Sequence, residues 1–200
     1  MPANDYHFVT RWTVEGTIED VAAVIGDPLE LPRWWPSVYL DVREVAPGDE
    51  RGVGRTVELF TKGWLPYTLR WRFTITDSNR PHGLALAASG DFVGRGVWSF
   101  VQDGPCVRIT YDWRITAEKP LLRRLSFLLK PLFAANHRWA MRMGERSLQL
   151  ELRRRALPDA RRIEVPLPPD PTRLPLAPLA AVVAGIGGLA GLALLRGRLR

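Results

Sequence analysis

The polar residues best placed to do chemistry in this sequence are Tyr111, Asn136 and His137. Asn136 falls within an apolar helical pattern, where an amide without a partner costs about 1–3 kcal/mol. Its partner is either Tyr111, a backbone group or buried water, or else a carbonyl or hydroxyl group of a bound molecule. His137 would need a supporting partner to act as a general base, and the sequence identifies none. These three residues are the candidates for orienting or protonating a substrate.

Other kinds of reactive site find little support in the sequence. His7, His82 and His137 lack the spacing of metal ligands, Cys106 is the sole cysteine, and no Gly-x-Ser-x-Gly motif occurs. A glycine-rich run, Ala184–Gly191, imitates a dinucleotide-binding fingerprint, but too few residues follow it for the helix, strand and acidic residue of such a unit. We therefore predict no metal and no cofactor.

Seven segments have strand-like patterns and are separated by turns rich in glycine and proline. The predicted strands are Asp5–Val14, Val38–Val45, Gly54–Thr61, Tyr67–Asp77, Leu84–Ser89, Gly94–Gln102 and Cys106–Ala117. Apolar and polar residues alternate clearly in the fourth and seventh of them, so one face of each is apolar. Short connections of this kind join antiparallel neighbours, which predicts a curved antiparallel sheet with one aromatic face.

Helical patterns occupy the remaining parts of the first 156 residues. Thr17 and Asp20 form a capping box that begins a short helix, and a second helical turn follows before Pro36. From Leu121 to Arg155 the pattern is helical, with a kink or break predicted at Pro131. One broad face of this long helix contains Leu132, Phe133, Asn136, Trp139, Ala140, Met143, Ser147 and Leu150. Only the concave apolar face of the sheet can bury it.

The element order and three local sequences resemble those of a known superfamily. The local sequences are RWWPSV at 33–38, GDFVGRG at 90–96 and ANHRW at 135–139. Over roughly residues 5–155 the chain resembles the START-like, or SRPBCC, superfamily and its polyketide cyclase/dehydrase and lipid-transport group. The resemblance implies an α+β helix-grip fold, in which the sheet wraps around the long helix and leaves a cavity for an apolar or amphipathic ligand. None of the three motifs is a catalytic signature.

Large aromatic residues are the main candidates for lining that cavity. The inward rings of the sheet are either ordinary core or a ligand-lining wall, and their number in this fold favours a wall. Trp34 and Trp35 either stack at the entrance or anchor the second helix, whereas Trp64 is a gate or a membrane-interface anchor. The predicted ligand-binding residues are Trp34, Trp35, Trp64, Tyr67, Trp71, Phe73, Tyr111, Trp113, Phe133, Asn136 and His137.

The composition changes after Ala156. Pro158–Pro178 is rich in proline and is predicted to be an extended, semi-rigid spacer. No charged residue occurs in Leu174–Leu195, so we predict a transmembrane or membrane-associated helix, which Gly187 and Gly191 could pair into a homodimer. A tail that packs on the domain is the alternative. The predicted organisation is a ligand-binding domain at 1–156, a linker at 157–178 and an apolar helix with a basic end at 179–200.

The chain is basic, with 28 lysine and arginine residues against 21 acidic ones and a net charge of +7. This balance indicates a polyanionic partner. Arginines concentrate in the linker beside the apolar tail and no nucleic-acid motif accompanies them, which favours anionic lipid over nucleic acid. Because the N-terminus lacks a secretion signal and the chain has one cysteine, we expect a cytoplasmic domain tethered to a membrane.

Three functions agree with these patterns. The first is the binding, with transfer or presentation, of a hydrophobic small molecule or lipid near a membrane. The second is an enzyme like the polyketide cyclases and aromatases, acting on a bound hydrophobic chain, and the third is a structural adaptor with a filled core. The sequence favours binding over catalysis, because it offers no acid–base pair with a supporting partner.

Overall fold

A meander of strands followed by one long helix accounts for most of the chain. The computed structural model describes residues 4–118 and 120–172, with side chains in the long helix described from Lys130 onward. The strands are β1 (Asp5–Glu15), β2 (Tyr39–Ala46), β3 (Thr56–Lys62), β4 (Thr68–Asn79), β5 (Gly83–Gly90), β6 (Phe92–Asp103) and β7 (Cys106–Ala117). The helices are α1 (Ile18–Ile25), α2 (Leu31–Trp34) and α3 (Pro120–Ala156), with 3-10 turns at Pro28–Glu30 and Asp159–Glu164.

All seven strands form one antiparallel sheet in the order β1-β7-β6-β5-β4-β3-β2. The alternation read from the sequence decides which face is buried. In β4, Leu69, Trp71 and Phe73 are buried while Arg70 and Arg72 between them are exposed. The predicted curved antiparallel sheet and its aromatic concave face are confirmed.

The two short helices follow the predicted local signals. Thr17 caps α1 by accepting a hydrogen bond from the Asp20 backbone N–H, 3.1 Å away, which satisfies one of the helix's free N–H groups. After the 3-10 turn, α2 ends at Trp34, and Trp34 and Trp35 are both buried. The predicted second helical turn is therefore confirmed, and it places the rings of Trp34 and Trp35 in the interior.

The long helix is continuous across Pro131, so of the two predicted alternatives the break is wrong, and the kink stays a prediction. A proline in a helix removes a single N–H donor and disturbs one turn. In a helix of 37 residues this loss is small beside the bonds that continue on either side.

The buried face of α3 is rotated relative to the predicted one. Leu132, which was predicted to be buried, is exposed, whereas Gly144, Leu148, Glu151 and Leu152 are buried. A count of apolar residues misses Gly144, which is needed because a Cβ there would lie 2.3 Å from the ring of Trp35. It also misses a glutamate whose charge is neutralised locally.

Glu151 is that buried charge, and it connects α2 to α3. Its carboxylate accepts two hydrogen bonds from Arg33, at 2.9 and 2.7 Å, and further bonds from Arg154 and Arg155. Burial alone would raise the pKa of Glu151, but the bonds from Arg33 and Arg155 outweigh it and lower that pKa to about 2. This cluster fixes the position of α2, and with it the Trp34–Trp35 pair.

The described part of the linker contacts the domain at two places. After the turn at Asp159–Glu164, the carbonyl of Pro166 accepts a hydrogen bond from Arg154. The carbonyl of Thr172 then accepts one from the Lys62 ammonium group, 2.7 Å away. These two hydrogen bonds hold the described part of the linker against the domain.

The predicted apolar helix at 179–200, including Gly187 and Gly191, lies outside the described residues. Within 4–118 and 120–172, no helix is long and apolar enough to cross a membrane.

A candidate ligand-binding cavity

A cavity of about 130 Å³ lies between the concave face of the sheet and the part of α3 from Phe133 to Met141. Its lining comes from six strands (all except β5), the Trp35–Val38 segment, the β3–β4 loop and α3. The lining side chains are mostly apolar and aromatic. They are Tyr6, Phe8, Trp35, Val38, Tyr39, Thr61, Lys62, Gly63, Tyr67, Leu69, Trp71, Phe92, Tyr111, Trp113, Ile115, Ala117, Phe133, Asn136, His137, Ala140 and Met141.

The sheet side of the cavity is a continuous set of stacked rings. Tyr111 lies between Trp98 and Trp113, with centroid distances of 3.9 and 5.5 Å, and Trp113 contacts Trp71 at 5.7 Å. Gly96 makes room for these rings, because a Cβ there would lie 2.6 Å from the Tyr111 hydroxyl oxygen. Interlocked rings of this kind have little freedom to collapse into an adjacent space.

The helix side of the cavity is less tightly packed. The Phe133 ring contacts Tyr6 and Tyr67 edge-on, at 6.5 and 6.1 Å between centroids. Ala140, a small residue, follows two turns later on the same helix and also lines the cavity. The cavity stays open because the Ala140 side chain is too small to fill it and the stacked rings of the sheet are too rigid to move into it.

Asn136 holds the β3–β4 loop at one end of the cavity. Its Oδ1 atom accepts hydrogen bonds from the backbone N–H groups of Trp64 and Leu65, at 2.9 and 3.2 Å. The amide lies directly on Gly63, where a Cβ would approach Oδ1 to 2.1 Å. Of the partners considered from the sequence, backbone groups satisfy the oxygen of Asn136, and its N–H₂ group remains available for further bonds.

His137 is a neutral ring in the wall of the cavity. It stacks on Phe8 at 4.1 Å between centroids, and its Nε2 atom is buried without a hydrogen-bond partner in the described part of the chain. Burial lowers the pKa of His137 to about 4, and the nearby Arg138 charge acts in the same direction. The ring is therefore uncharged at neutral pH, and among the described residues no carboxylate bonds to it, so it is poorly suited to be a general base.

The tyrosine hydroxyls of the cavity are held in their neutral form. Burial raises the pKa of Tyr39, Tyr67 and Tyr111, and for Tyr111 the neighbouring Tyr39 adds to the effect. A neutral phenol can donate or accept a hydrogen bond to a ligand but supplies no charge. In the described ranges, no three histidine, cysteine, aspartate or glutamate side chains come together as a metal site requires.

Eight of the eleven predicted binding residues line this cavity: Trp35, Tyr67, Trp71, Tyr111, Trp113, Phe133, Asn136 and His137. Trp34 and Phe73 instead line a smaller space of about 40 Å³, which shares Trp35, Tyr39, Trp71 and Tyr111 with the larger one. Trp64 lines neither of the two, although its backbone N–H donates to Asn136 in the wall of the larger one.

Sequence reasoning missed several lining residues. Tyr6 and Phe8 come from β1, and Tyr39 and Phe92 come from β2 and β6. The period-2 pattern of β1 does place Tyr6 and Phe8 on the apolar face, so pairing β1 with β7 in the sheet would have identified both. Lys62 had no such signal, since a lysine at a strand end reads as a solvated residue.

The sequence and fold of the chain can be compared with those of known proteins. A family model described as "Polyketide cyclase / dehydrase and lipid transport" matches residues 6–158. The Zhui aromatase/cyclase of a Streptomyces species superposes with a TM-score of 0.61 at 16% identity, covering 78% of this chain and 98% of its own.

Two further solved structures have the same fold. A protein of Thermus thermophilus gives a TM-score of 0.58 at 17% identity, covering 72% of this chain and 97% of its own. A START superfamily protein of Mycobacterium smegmatis gives 0.54 at 15% identity, covering 71% and 98%. No curated protein matches the chain. Identities this low show a shared fold, and the family match over 6–158 shows that the chain belongs to the polyketide cyclase/dehydrase and lipid-transport family.

Proposed function

We propose that this domain binds a hydrophobic small molecule or lipid in the cavity between the sheet and α3, and presents or transfers it close to a membrane. The observation that carries the proposal is the cavity itself, which has a rigid aromatic wall and few polar groups. An apolar cavity of roughly 150 Å³ in another protein takes up benzene. The volume here, about 130 Å³, therefore suits a ring or part of a chain.

The polar groups of the cavity support binding in a fixed orientation. The Asn136 N–H₂ group, the unpartnered His137 Nε2 atom and the tyrosine hydroxyls are the atoms that a polar end of the ligand would meet. An unpaired buried polar atom has a free-energy cost that a bound ligand removes. This arrangement accounts for these polar residues in a wall that is mostly apolar.

The proposal includes membrane attachment through the residues after α3, which we assign as a linker at 157–178 and an apolar tail at 179–200. Ile163 and Leu167 are 91% and 84% exposed, and the side chain of Arg161 beside them is 61% exposed. Exposed apolar residues next to arginines suit a bilayer that contains anionic lipid. The uncharged stretch Leu174–Leu195 continues this pattern, and the cytoplasmic side is the expected location of the domain.

A cyclase-like enzyme is the second candidate, and the unpartnered Nε2 atom of His137 is the observation in its favour. In this function His137, Asn136 and Tyr111 would orient or protonate a reactive chain. The low pKa of His137 and the lack of an orienting carboxylate argue for binding instead. A bell-shaped pH–rate profile that disappears in His137→Phe would reverse this preference.

A titration with the neutral, environment-sensitive dye Nile red tests the binding function. The full-length chain should bind the dye saturably, and Ala140→Phe should abolish binding because the new ring occupies the cavity. Ala134→Phe is the matched control, since Ala134 is on the same helix but does not line the cavity. Equal dye affinity in wild type and Ala140→Phe would contradict the proposal.

A further inference from the structure

The cavity wall contains one side chain that is positively charged at neutral pH. Of the lining residues in the described chain, only Lys62 and His137 are basic, and His137 is neutral because burial lowers its pKa to about 4. Lys62 is the last residue of β3 and precedes Gly63, on which the Asn136 amide lies. The charge is therefore at the same end of the cavity as Asn136.

The Lys62 ammonium group lacks an anionic partner within the described residues. Its hydrogen bond at 2.7 Å goes to the backbone carbonyl of Thr172, and the Thr172 hydroxyl donates in turn to the Gly63 carbonyl, 3.4 Å away. A carbonyl group satisfies one donor but neutralises no charge. The Thr172 carbonyl of the linker thus occupies the position beside Lys62. An anion would bind the ammonium group there more strongly than this carbonyl does.

Hydrogen-bond donors prevail around this end of the cavity. The Asn136 oxygen is already used by two backbone N–H groups, which leaves its N–H₂ group to donate. The Lys62 ammonium group, next to Gly63 in the chain, adds further donors at the same place. A wall that offers donors and one positive charge is complementary to an oxygen-rich anionic group.

We propose that the cavity selects an amphipathic anion, whose apolar part lies among the aromatic rings and whose charged head group displaces the Thr172 carbonyl from Lys62. This inference rests on the proposed binding function and names the chemical class of its ligand. A carboxylate of a fatty acid and a phosphate of a lipid share the required chemistry.

The experiment compares an acid with its own ester on the full-length chain. cis-Parinaric acid, which fluoresces when bound, should bind at least tenfold tighter than its methyl ester, because only the acid can pair with Lys62. In Lys62→Met this ratio should fall to about one, with the ester's Kd within twofold of the wild-type value. Arg146→Met, which removes an exposed cation outside the lining, should keep the wild-type ratio.

The outcomes separate this inference from the function on which it rests. Equal affinities for acid and ester in the wild type would overturn the selection of anions while leaving hydrophobic binding in place. Binding of neither probe would overturn both, and loss of the preference in Arg146→Met alone would overturn the role of Lys62. Displacement of bound cis-parinaric acid by dodecanoate or by dodecyl phosphate then identifies which head group the site prefers, and displacement by neither would contradict the inference.

Discussion

Two stretches of α3 face the same sheet and yet differ in what they contact. We call Phe133–Met141 the first half of this face and Gly144–Leu152 the second half. From Phe133 to Met141 the helix borders a cavity, and most of its inward residues are only partly buried. From Gly144 to Leu152 it is packed against α2 and the sheet, and Leu148 and Glu151 are at most 2% exposed. One half stabilises the fold and the other leaves space.

The physical basis of this difference is the partner that each half meets. The second half receives Trp35 on Gly144 and Arg33 on Glu151, so large groups fill the interface. The first half meets rings that are fixed by one another and a loop held by Asn136. Changes in the second half should therefore reduce stability with little effect on ligand affinity, and changes in the first half should affect ligand affinity more.

The largest loss of stability is expected from Glu151→Gln. Removal of one partner from a buried ion pair costs roughly 3–5 kcal/mol, and about 3 kcal/mol is expected here because Arg33 and Arg155 remain partly solvated. Denaturant unfolding measures the difference. The matched control is Glu164→Gln, whose exposed pair with Arg161 should contribute less than about 1 kcal/mol.

The stability difference between wild type and Glu151→Gln should also depend on pH. The folded-state pKa of Glu151 is about 2, below the ordinary value of 4.5, so its contribution is complete above pH 4.5. It should decrease as the pH falls towards about 2, where the folded chain takes up the proton. A difference that stayed constant over this range would show that Glu151 is not held as a carboxylate.

Gly144→Ala should cost about 1–2 kcal/mol, although alanine is ordinarily the better helix former by about 1 kcal/mol. The added Cβ would lie 2.3 Å from Trp35, so the ring or the helix must move. The second change Trp35→Leu should remove most of this cost. A stabilised Gly144→Ala variant would show that α3 is not packed on Trp35.

A smaller loss of stability, about 1 kcal/mol, is expected from Gly63→Ala in the β3–β4 loop, which borders the cavity. Because its Cβ would collide with the Asn136 amide, Gly63→Ala should cost much less in an Asn136→Ala background. Unfolding of the two single variants and the double variant measures this coupling. Additive losses would contradict the contact between the β3–β4 loop and α3.

The smallest change concerns the pH dependence conferred by His137. Because burial lowers its pKa to about 4 from 6.5, the unfolded chain binds a proton between these values and the folded chain does not. Wild-type stability should therefore fall from pH 7 to pH 5 more than that of His137→Phe. His82→Phe, at an exposed histidine, should retain the wild-type dependence.

The sequence predicted the sheet and most of the aromatic wall, because alternation in β4 and β7 directly reports which side of a strand is buried. It could not predict the register of α3. Gly144 is buried because it has no side chain to collide with Trp35. Glu151 is buried because the fold places Arg33, 118 positions away in the sequence, beside its carboxylate. Neither reason is visible in a count of apolar residues along one helix.

The same limit applies to the polar end of the cavity. The sequence singled out Asn136 as a buried amide in need of a partner, but the choice of Trp64 and Leu65 as partners depends on where the β3–β4 loop lies. Lys62 was missed because its position in the cavity wall and its contact with the linker at Thr172 depend on the tertiary fold. Long-range contacts of this kind are set by tertiary packing and have no local pattern.

The most direct test of hydrophobic ligand binding is native mass spectrometry of the full-length protein purified from its own host, followed by solvent extraction. The wild-type chain should carry one small hydrophobic molecule, and the Ala140→Phe variant should be found at the mass of the bare chain. Recovery of both proteins at the bare mass, with nothing extracted from either, would contradict a ligand-binding cavity.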